Sequence, residues 1–143
     1  MSWHQFSKEE ELRITEAVAT AENQTSGELR IHIDRYCKTD PLLKAKNLFN
    51  HLKLDQTVLQ NGVIFYVSID DKKFAVYGDK GINEKVELDF WDTTVAKMTD
   101  YFKKGEMVEG IISGLTEAGE RLKLHFPKSD NDINELPDEI SYS

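Results

Sequence analysis

The sequence NGVIFYVSIDDKKFAVYGDKG (residues 61–81) decides the fold of this chain. Val63 to Ser68 and Lys73 to Tyr77 are runs of β-branched and aromatic residues, which are typical of strands. Only Ile69 to Lys72 separate them, which predicts two antiparallel strands joined by a tight turn. A hairpin brings its two ends together, so Gly78 to Gly81 should lie beside the start of the first strand. Glycines there permit a positive φ and let a ligand approach the backbone.

A strand and a helix precede this hairpin. Residues 29–34, LRIHID, alternate apolar and polar side chains with the two-residue period of a strand. Asp40 and Pro41 then supply a cap and a first helical position. The helix that follows has an apolar face formed by Leu42, Ala45, Leu48, Phe49 and Leu52. A strand, a helix and a strand in this order predict two parallel strands connected by a right-handed crossover.

The remaining sequence is mainly helical. Ser7 and Glu10 form a capping box for a first helix, and Asp89 is placed to cap a helix that runs through Trp91 to Phe102. A last helix contains Gly110 and Gly114 on one side, where another backbone can approach closely.

These elements predict one α/β domain over residues 1–126. We expect a helix/sheet/helix sandwich around a small, mixed, twisted sheet that consists of the strand-helix-strand unit and the antiparallel hairpin strand. Residues 127–143 are acidic and poor in large apolar side chains, so we expect them to form a flexible tail.

Composition excludes several classes of protein. The formal net charge of −8 disfavours nucleic-acid binding, which depends on clustered Lys and Arg, and favours cations or basic partners. The sequence has neither an apolar leader at its start nor the roughly 20 apolar residues that span a bilayer, so we expect a soluble, cytoplasmic protein without a membrane segment. The single cysteine, Cys37, excludes an internal disulfide, and we interpret it as a structural residue.

Polar residues from three junctions should meet at one edge of the sheet. If the first two strands are parallel, Glu28 begins the first strand at the same edge as Asn61, and the third strand returns Asp79 to it. Carboxylate, amide and main-chain carbonyl oxygens are the ligands that Ca²⁺ and Mg²⁺ prefer. Glu84 and Asp92 lie just downstream and are placed to complete the set. The alternative interpretation is that these residues only form turns and cap helices.

The opposite edge is a rival site. Open sheets usually bind ligands beyond the carboxyl ends of their parallel strands, which here lie near Asp34, Arg35, Asp70 and Asp71. Asp70 and Asp71 are followed by two lysines, however, and this pattern is typical of a solvated hairpin tip.

Several segments, taken in order, resemble the TPM domain family. They are TSGELRIHI (25–33), DPLLKAKNLF (40–49), NGVIFYVSIDDKKFAVYGDKGI (61–82), FWD (90–92) and FKKGEMVEGIISGL (102–115). The chain resembles the short, freestanding bacterial form of this family, which also includes thylakoid-lumen proteins. The positions that match the family pattern are Ser26, Gly27, Glu28, Asn61, Gly62, Gly78 and Gly81. This sequence departs from the family pattern at Glu84, because Asn83 precedes it and the acidic residue is therefore shifted by one position.

The resemblance implies two activities. Some family members have acid-phosphatase-like activity, and others bind divalent cations. A phosphatase needs a nucleophile with a base, or a metal-activated water, together with cationic groups for the phosphoryl oxygens. The sequence contains no P-loop and no HExxH motif, its four histidines are scattered, and Lys80 is the nearest cation to the predicted site. His32 alternates with the apolar residues of its strand and is typical of a packed histidine.

We therefore expect a Ca²⁺- or Mg²⁺-binding domain that acts as an interaction module through a protein partner. The alternative is a metal-dependent acid phosphatase of low activity.

Overall fold

The computed structural model describes residues 6–57, 59–87, 89–128 and 140–142. Its helices are α1 Lys8–Glu22, α2 Pro41–His51, α3 Lys80–Asn83, α4 Asp92–Lys103 and α5 Met107–His125, and its strands are β1 Glu28–Asp34, β2 Gly62–Ser68, β3 Lys73–Gly78 and β4 Ser141–Tyr142. The strands form one sheet in the order β3-β2-β1-β4. A short 3₁₀ turn, Leu54–Gln56, joins α2 to β2.

The pairing of the strands follows the predicted topology. β1 and β2 are parallel, with Glu28 opposite Gly62 and Asp34 opposite Ser68. β2 and β3 are antiparallel, with Val63 opposite Gly78. The predicted strand-helix-strand unit and hairpin are therefore confirmed, and the starts of β1 and β2 meet the end of β3 at one edge. We call this edge the amino edge of the sheet and the opposite one, where β1 and β2 end, the carboxyl edge.

Helix caps fix where the first two helices begin. The main-chain N of Glu10 donates to Ser7 Oγ over 3.1 Å, and the main-chain N of Ser7 donates to Glu10 Oε1 over 2.9 Å. Asp40 Oδ2 accepts from the main-chain N of Leu43 over 3.1 Å. The fourth helix begins at Asp92 rather than just after the predicted cap Asp89. The single turn of α3 is absent from the sequence prediction because four residues are too few to show a helical period.

Helices cover both faces of the sheet, as predicted. Leu29, Ile31 and Ile33 of β1 point into the larger core, which α1, α4 and α5 share. The smaller core on the other face contains Phe49 from α2 and Tyr66 from β2. The close approach predicted at Gly110 and Gly114 of α5 is made by side chains and not by another backbone, since a methyl group on Gly110 would lie 2.6 Å from the ring of Phe102.

The end of the chain corrects one prediction. Residues 140–142 are not a flexible tail, because Ser141 and Tyr142 pair in parallel with His32 and Ile33 of β1, and Ile140 packs against the larger core. Ser141 Oγ also lies 3.3 Å from the carbonyl oxygen of Ile31. The rest of the predicted tail, residues 129–139, lies outside the described residues. Within the described part of the chain, no helix combines the length and the apolar character needed to cross a bilayer.

Candidate functional site

Main-chain hydrogen bonds lock three predicted site residues together at the amino edge. The main-chain N of Glu28 donates to the carbonyl of Asn61 over 3.3 Å, and the main-chain N of Asp79 donates to the carbonyl of Gly62 over 2.9 Å. Glu28, Asn61 and Asp79 are all buried. The structure therefore brings these three residues to the same edge, as the topology required.

Asn61 ties the start of β2 to its surroundings. Its main-chain N donates to Thr57 Oγ1 over 3.3 Å, and its side-chain Nδ2 donates to Ser26 Oγ over the same distance. Ser26 in turn donates its main-chain N–H to the carbonyl of Phe126 over 2.9 Å, which connects the amino edge to the end of α5. The amide group of Asn61 is thus held in place by the loops on either side of it.

Asp79 differs from the other predicted ligands in the environment of its two carboxylate oxygens. It caps α3, where its Oδ1 accepts from the main-chain N of Lys80 over 2.8 Å. Its Oδ2 is buried and has no hydrogen-bond partner among the described residues, and only 9% of the residue is exposed. Burial raises the pKa of Asp79 above its usual value, against the lowering effect of the Lys80 N–H, and the nearby Asp55 carboxylate raises it further. A cation at Oδ2 would compensate this buried negative charge.

Carbonyl oxygens surround the turn that follows Asp79. A Cβ on Gly81 would lie 2.5 Å from the carbonyl oxygen of Leu59 and closer still to that of Gln60. Gln60 adopts a positive φ of 53°, which turns the chain sharply before β2. Glycine at position 81 is required because any side chain would strike these two carbonyls. Hard oxygen atoms from the main chain therefore lie at the same turn as the Asp79 carboxylate.

The other predicted ligands are placed differently. Glu84 is exposed and lines a cavity of about 340 Å³ at the amino edge. The remaining lining residues are Ser26, Leu59, Gln60, Gly81, Lys85, His125, Phe126 and Pro127. Asp92 is exposed on the first turn of α4 and does not line this cavity. The structure thus associates Glu84 with the amino edge and leaves Asp92 on a separate element.

Sequence reasoning missed one buried carboxylate near this edge. Glu22 is buried, and its Oε2 accepts from the main-chain N of Leu29 over 2.9 Å, beside the start of β1. The signal was present, because Glu22 continues the four-residue spacing of Ile14 and Val18 along the buried face of α1. A carboxylate on an apolar helical face indicates a buried partner, here the first N–H groups of a strand.

Carboxylates alone do not form the site. In the part of the chain that the structure describes, no three His, Cys, Asp or Glu side chains lie close enough to hold one ion together. A cation at the amino edge would therefore depend on Asp79 with main-chain carbonyl, amide and water oxygens.

The carboxyl edge, in contrast, has partners for its acids. Asp34 is buried. It accepts one hydrogen bond from the Tyr66 hydroxyl over 2.6 Å and another from His32 Nε2 over 3.3 Å. Asp70 pairs with Arg35 Nε over 2.8 Å. Asp71 accepts from the main-chain N of Cys37 over 2.8 Å and from the hydroxyl of Ser68. Burial acts to raise the pKa of Asp71, but these hydrogen bonds outweigh it and hold the pKa below its usual value.

His32 and Cys37 are packed residues. The thiol of Cys37 donates to the carbonyl of Thr39 over 3.1 Å, and the residue is buried, in agreement with a structural role. His32 is buried, with its Nδ1 2.7 Å from Ser141 Oγ. Burial lowers the pKa of His32, against the raising effect of Asp34. Sequence reasoning could not pair His32 with Ser141, because 109 residues separate them and Ser141 was assigned to the tail.

Comparison with known proteins identifies relatives of the whole fold. The model of the TPM domain matches residues 3–121. The NMR structure of BA42 protein from the psychrophilic bacterium Bizionia argentinensis is 43% identical with a TM-score of 0.93, and the match covers 100% of this chain and 99% of that one. The N-terminal domain of cg2496 protein from Corynebacterium glutamicum has a TM-score of 0.66 at 9% identity, over 81% of this chain and 73% of that one, and shares the fold alone. No curated protein matches this sequence.

Proposed function

Because this chain belongs to the TPM domain family, we propose that it is a divalent-cation-binding domain with its site at the amino edge of the sheet. Asp79 carries the proposal, since its Oδ2 is buried without a hydrogen-bond partner in the described residues. Leaving a buried carboxylate oxygen unpaired is costly, and a bound cation would remove that cost. In this protein the cation would act as a switch or brace for an interaction with a protein partner.

The oxygen atoms at this edge suit Ca²⁺ and, with more retained water, Mg²⁺. Ca²⁺ accepts six to eight oxygens in a flexible arrangement, which allows one carboxylate to combine with carbonyls, an amide and waters. Asp79 supplies the carboxylate, Asn61 the amide, and Leu59 and Gln60 the carbonyls. With so few charged ligands, the dissociation constant should be on the order of 10⁻⁴ to 10⁻³ M.

Glu28 and Glu84 are the additional carboxylates in reach of the amino edge, the first from a buried position and the second from the cavity wall. Asp92 completes the set from the sequence and is the weakest member, because it is exposed on α4. The net charge of −8 favours nonspecific association of cations with the whole surface. A measurement that reports on individual residues is therefore necessary.

A calcium titration followed by amide NMR tests the proposal. The largest shifts should fall on residues 60–62 and 79–82, and Asp79→Asn should weaken binding at least several-fold. Asp70→Asn is the matched control, because it removes one carboxylate from the carboxyl edge and should leave the affinity unchanged. Chemical-shift changes centred on Asp34, Asp70 and Asp71 would place the cation at the carboxyl edge and refute the proposed site.

The cavity at the amino edge favours one alternative, a metal-dependent acid phosphatase of low activity. Its lining includes Ser26, Glu84, His125 and Lys85, which supply a hydroxyl, a carboxylate, an imidazole and an ammonium group. Cationic groups beside a metal are what a phosphoryl group requires. These residues would bind and orient a phosphate ester next to a cation held by Asp79.

Hydrolysis of an activated phosphate ester separates the two functions. A true active site would give activity that co-elutes with the protein, disappears with chelator and falls by on the order of a hundredfold in Asp79→Asn or Glu28→Gln. We expect instead slow hydrolysis that is lost on further purification, together with measurable cation binding.

A further inference from the structure

Three large apolar side chains are exposed close together in the chain at the carboxyl edge. Tyr36 is 54% exposed, and Leu42 and Leu43 are each 51% exposed. Only three other large hydrophobic residues in the described parts of the chain are exposed: Leu12, Leu59 and Leu124. Tyr36 follows β1, and the two leucines occupy the first turn of α2. We call these three residues the apolar tip.

The exposure of the apolar tip is built into the fold. The Asp40 side chain caps α2 through the main-chain N of Leu43, which holds both leucines in a regular first turn. The connection before it is held by Cys37, whose main-chain N donates to Asp71 over 2.8 Å and whose carbonyl accepts from Lys73 Nζ over 3.1 Å. Because these hydrogen bonds fix the main chain of this segment, its apolar side chains remain exposed and do not turn into the core.

Positive charge surrounds the apolar tip in a protein that is otherwise acidic. Residues 35–46, from the end of β1 into the middle of α2, contain four Lys and Arg side chains and one Asp, whereas the whole chain has 18 basic and 26 acidic side chains. Lys38 and Lys46 are exposed, and neither forms an ion pair with a described residue.

Nearby acids offset only part of this positive charge. Asp70 is paired with Arg35, Asp71 is bonded to Cys37 and Ser68, and Asp34 is buried. The single acid within residues 35–46 is Asp40, and its carboxylate caps α2. The carboxyl edge therefore presents unpaired lysines around an apolar tip.

We infer that the apolar tip and its lysines dock this domain on the surface of an anionic lipid bilayer. Aliphatic side chains at an exposed helix start can enter the interfacial layer of a bilayer, where an aromatic ring is also favoured, while lysines reach the headgroup phosphates. An acidic protein is the less suited partner, because the apolar tip lines neither the cavity at the amino edge nor a second cavity lined by His32, Leu48 and Ser141, where a partner side chain could enter.

Docking in this way leaves the amino edge in solution. β1 has seven residues, so the two edges lie about 20 Å apart. The inference is independent of the proposed cation site, and the experiment can be done with chelator present.

Vesicle co-sedimentation tests the inference. The full chain, in chelator and low salt, is mixed with vesicles of phosphatidylcholine alone or with an equal part of phosphatidylglycerol. We expect binding only to the anionic vesicles, and at least about a tenfold loss of affinity in the double variant Leu42→Ser/Leu43→Ser. The matched control is Leu12→Ser/Leu124→Ser, which removes two leucines of equal or greater exposure, 57% and 80%, and should bind as the unaltered chain does.

Charge reversal supplies the second arm. Lys38→Glu/Lys46→Glu should abolish binding, whereas Lys103→Glu/Lys104→Glu, which reverses two exposed lysines at the end of α4, should not. The inference is overturned if the chain does not bind anionic vesicles, if the control variants lose binding equally, or if neutral vesicles bind as well. Capture by a soluble polyanion that survives Leu42→Ser/Leu43→Ser would also overturn it, in favour of an acidic partner.

Discussion

The two edges of the sheet treat their carboxylates in opposite ways. At the carboxyl edge, Asp34, Asp70 and Asp71 each accept hydrogen bonds or an ion pair from protein groups. At the amino edge, Asp79 has one oxygen that accepts from the main-chain N of Lys80 and another that is buried without a hydrogen-bond partner in the described part of the chain. A buried carboxylate whose oxygens have hydrogen-bond or ion-pair partners contributes to stability. A buried carboxylate oxygen without a partner lowers stability and can bind a ligand. Acid content alone therefore does not distinguish a site from a scaffold.

The largest effect should come from removing the satisfied acid. Asp34→Ala leaves the Tyr66 hydroxyl and the His32 imidazole, both buried, without their shared acceptor. We expect the free energy of unfolding to fall by about 3 kcal/mol, measured by urea denaturation. Asp70→Ala is the control: its ion pair with Arg35 is solvent-accessible, so the loss should stay below about 1 kcal/mol. Equal losses in the two variants would mean that burial does not separate these acids.

Removing residues 140–143 should cost about 2 kcal/mol. It takes away the pairing of β4 with β1, the hydrogen bond of Ser141 to His32 and that of Tyr142 to Glu11, each of which contributes modestly. Thermal unfolding of the full and shortened chains gives the comparison. A transition temperature that does not change would restore the flexible-tail prediction for these residues.

The sequence was sufficient for the fold wherever a pattern is local. The capping box of Ser7, the alternation of β1 and the hairpin are contained in short windows, so the sandwich and its register could be predicted from them. β4 could not, because its two residues have no period of their own and are ordered by bonds from β1.

The candidate site was predictable only in part, for the same reason. Topology brought Glu28, Asn61 and Asp79 to one edge, but which carboxylate oxygen lacks a partner depends on side-chain geometry that no spacing reports. Asp79 Oδ1 caps the short helix α3, which is likewise too short to be predicted from the sequence.

At the amino edge, neutralising the unsatisfied acid should stabilise the protein. Burial raises the pKa of Asp79 in the fold, so its ionised form disfavours folding at neutral pH, and stability should rise as pH falls through the raised pKa. Asp79→Asn keeps the cap on Lys80 and removes the charge, so in chelator we expect a gain of about 1 kcal/mol at pH 7. Calcium should then stabilise the unaltered chain and not the variant. A loss of stability in chelator would show that Oδ2 is already satisfied.

The smallest expected effect is the pH dependence of stability that His32 causes at the carboxyl edge. His32 is buried there between Asp34 and Ser141. Burial lowers the pKa of His32 below the value of about 6.5 that it has when unfolded, although Asp34 opposes this and Lys44 and Arg30 reinforce it. The unfolded chain therefore takes up the proton first. The stability that neutral His32 contributes is complete above about pH 6.5 and is lost as pH falls toward the lowered value.

One group changes the free energy of unfolding by at most about 1.4 kcal/mol per pH unit, and the opposing charge of Asp34 should keep the loss between pH 7 and pH 5.5 below about 1 kcal/mol. Urea denaturation of the unaltered chain and of His32→Gln over this range isolates the contribution, because the other titrating groups are common to both chains. Their difference in stability should narrow as pH falls. A difference that widens toward acid pH would mean that Asp34 outweighs burial and that His32 is charged in the fold. The carboxyl edge would then hold its buried acid with a cation of its own, just as we propose that the amino edge does with a cation from solution.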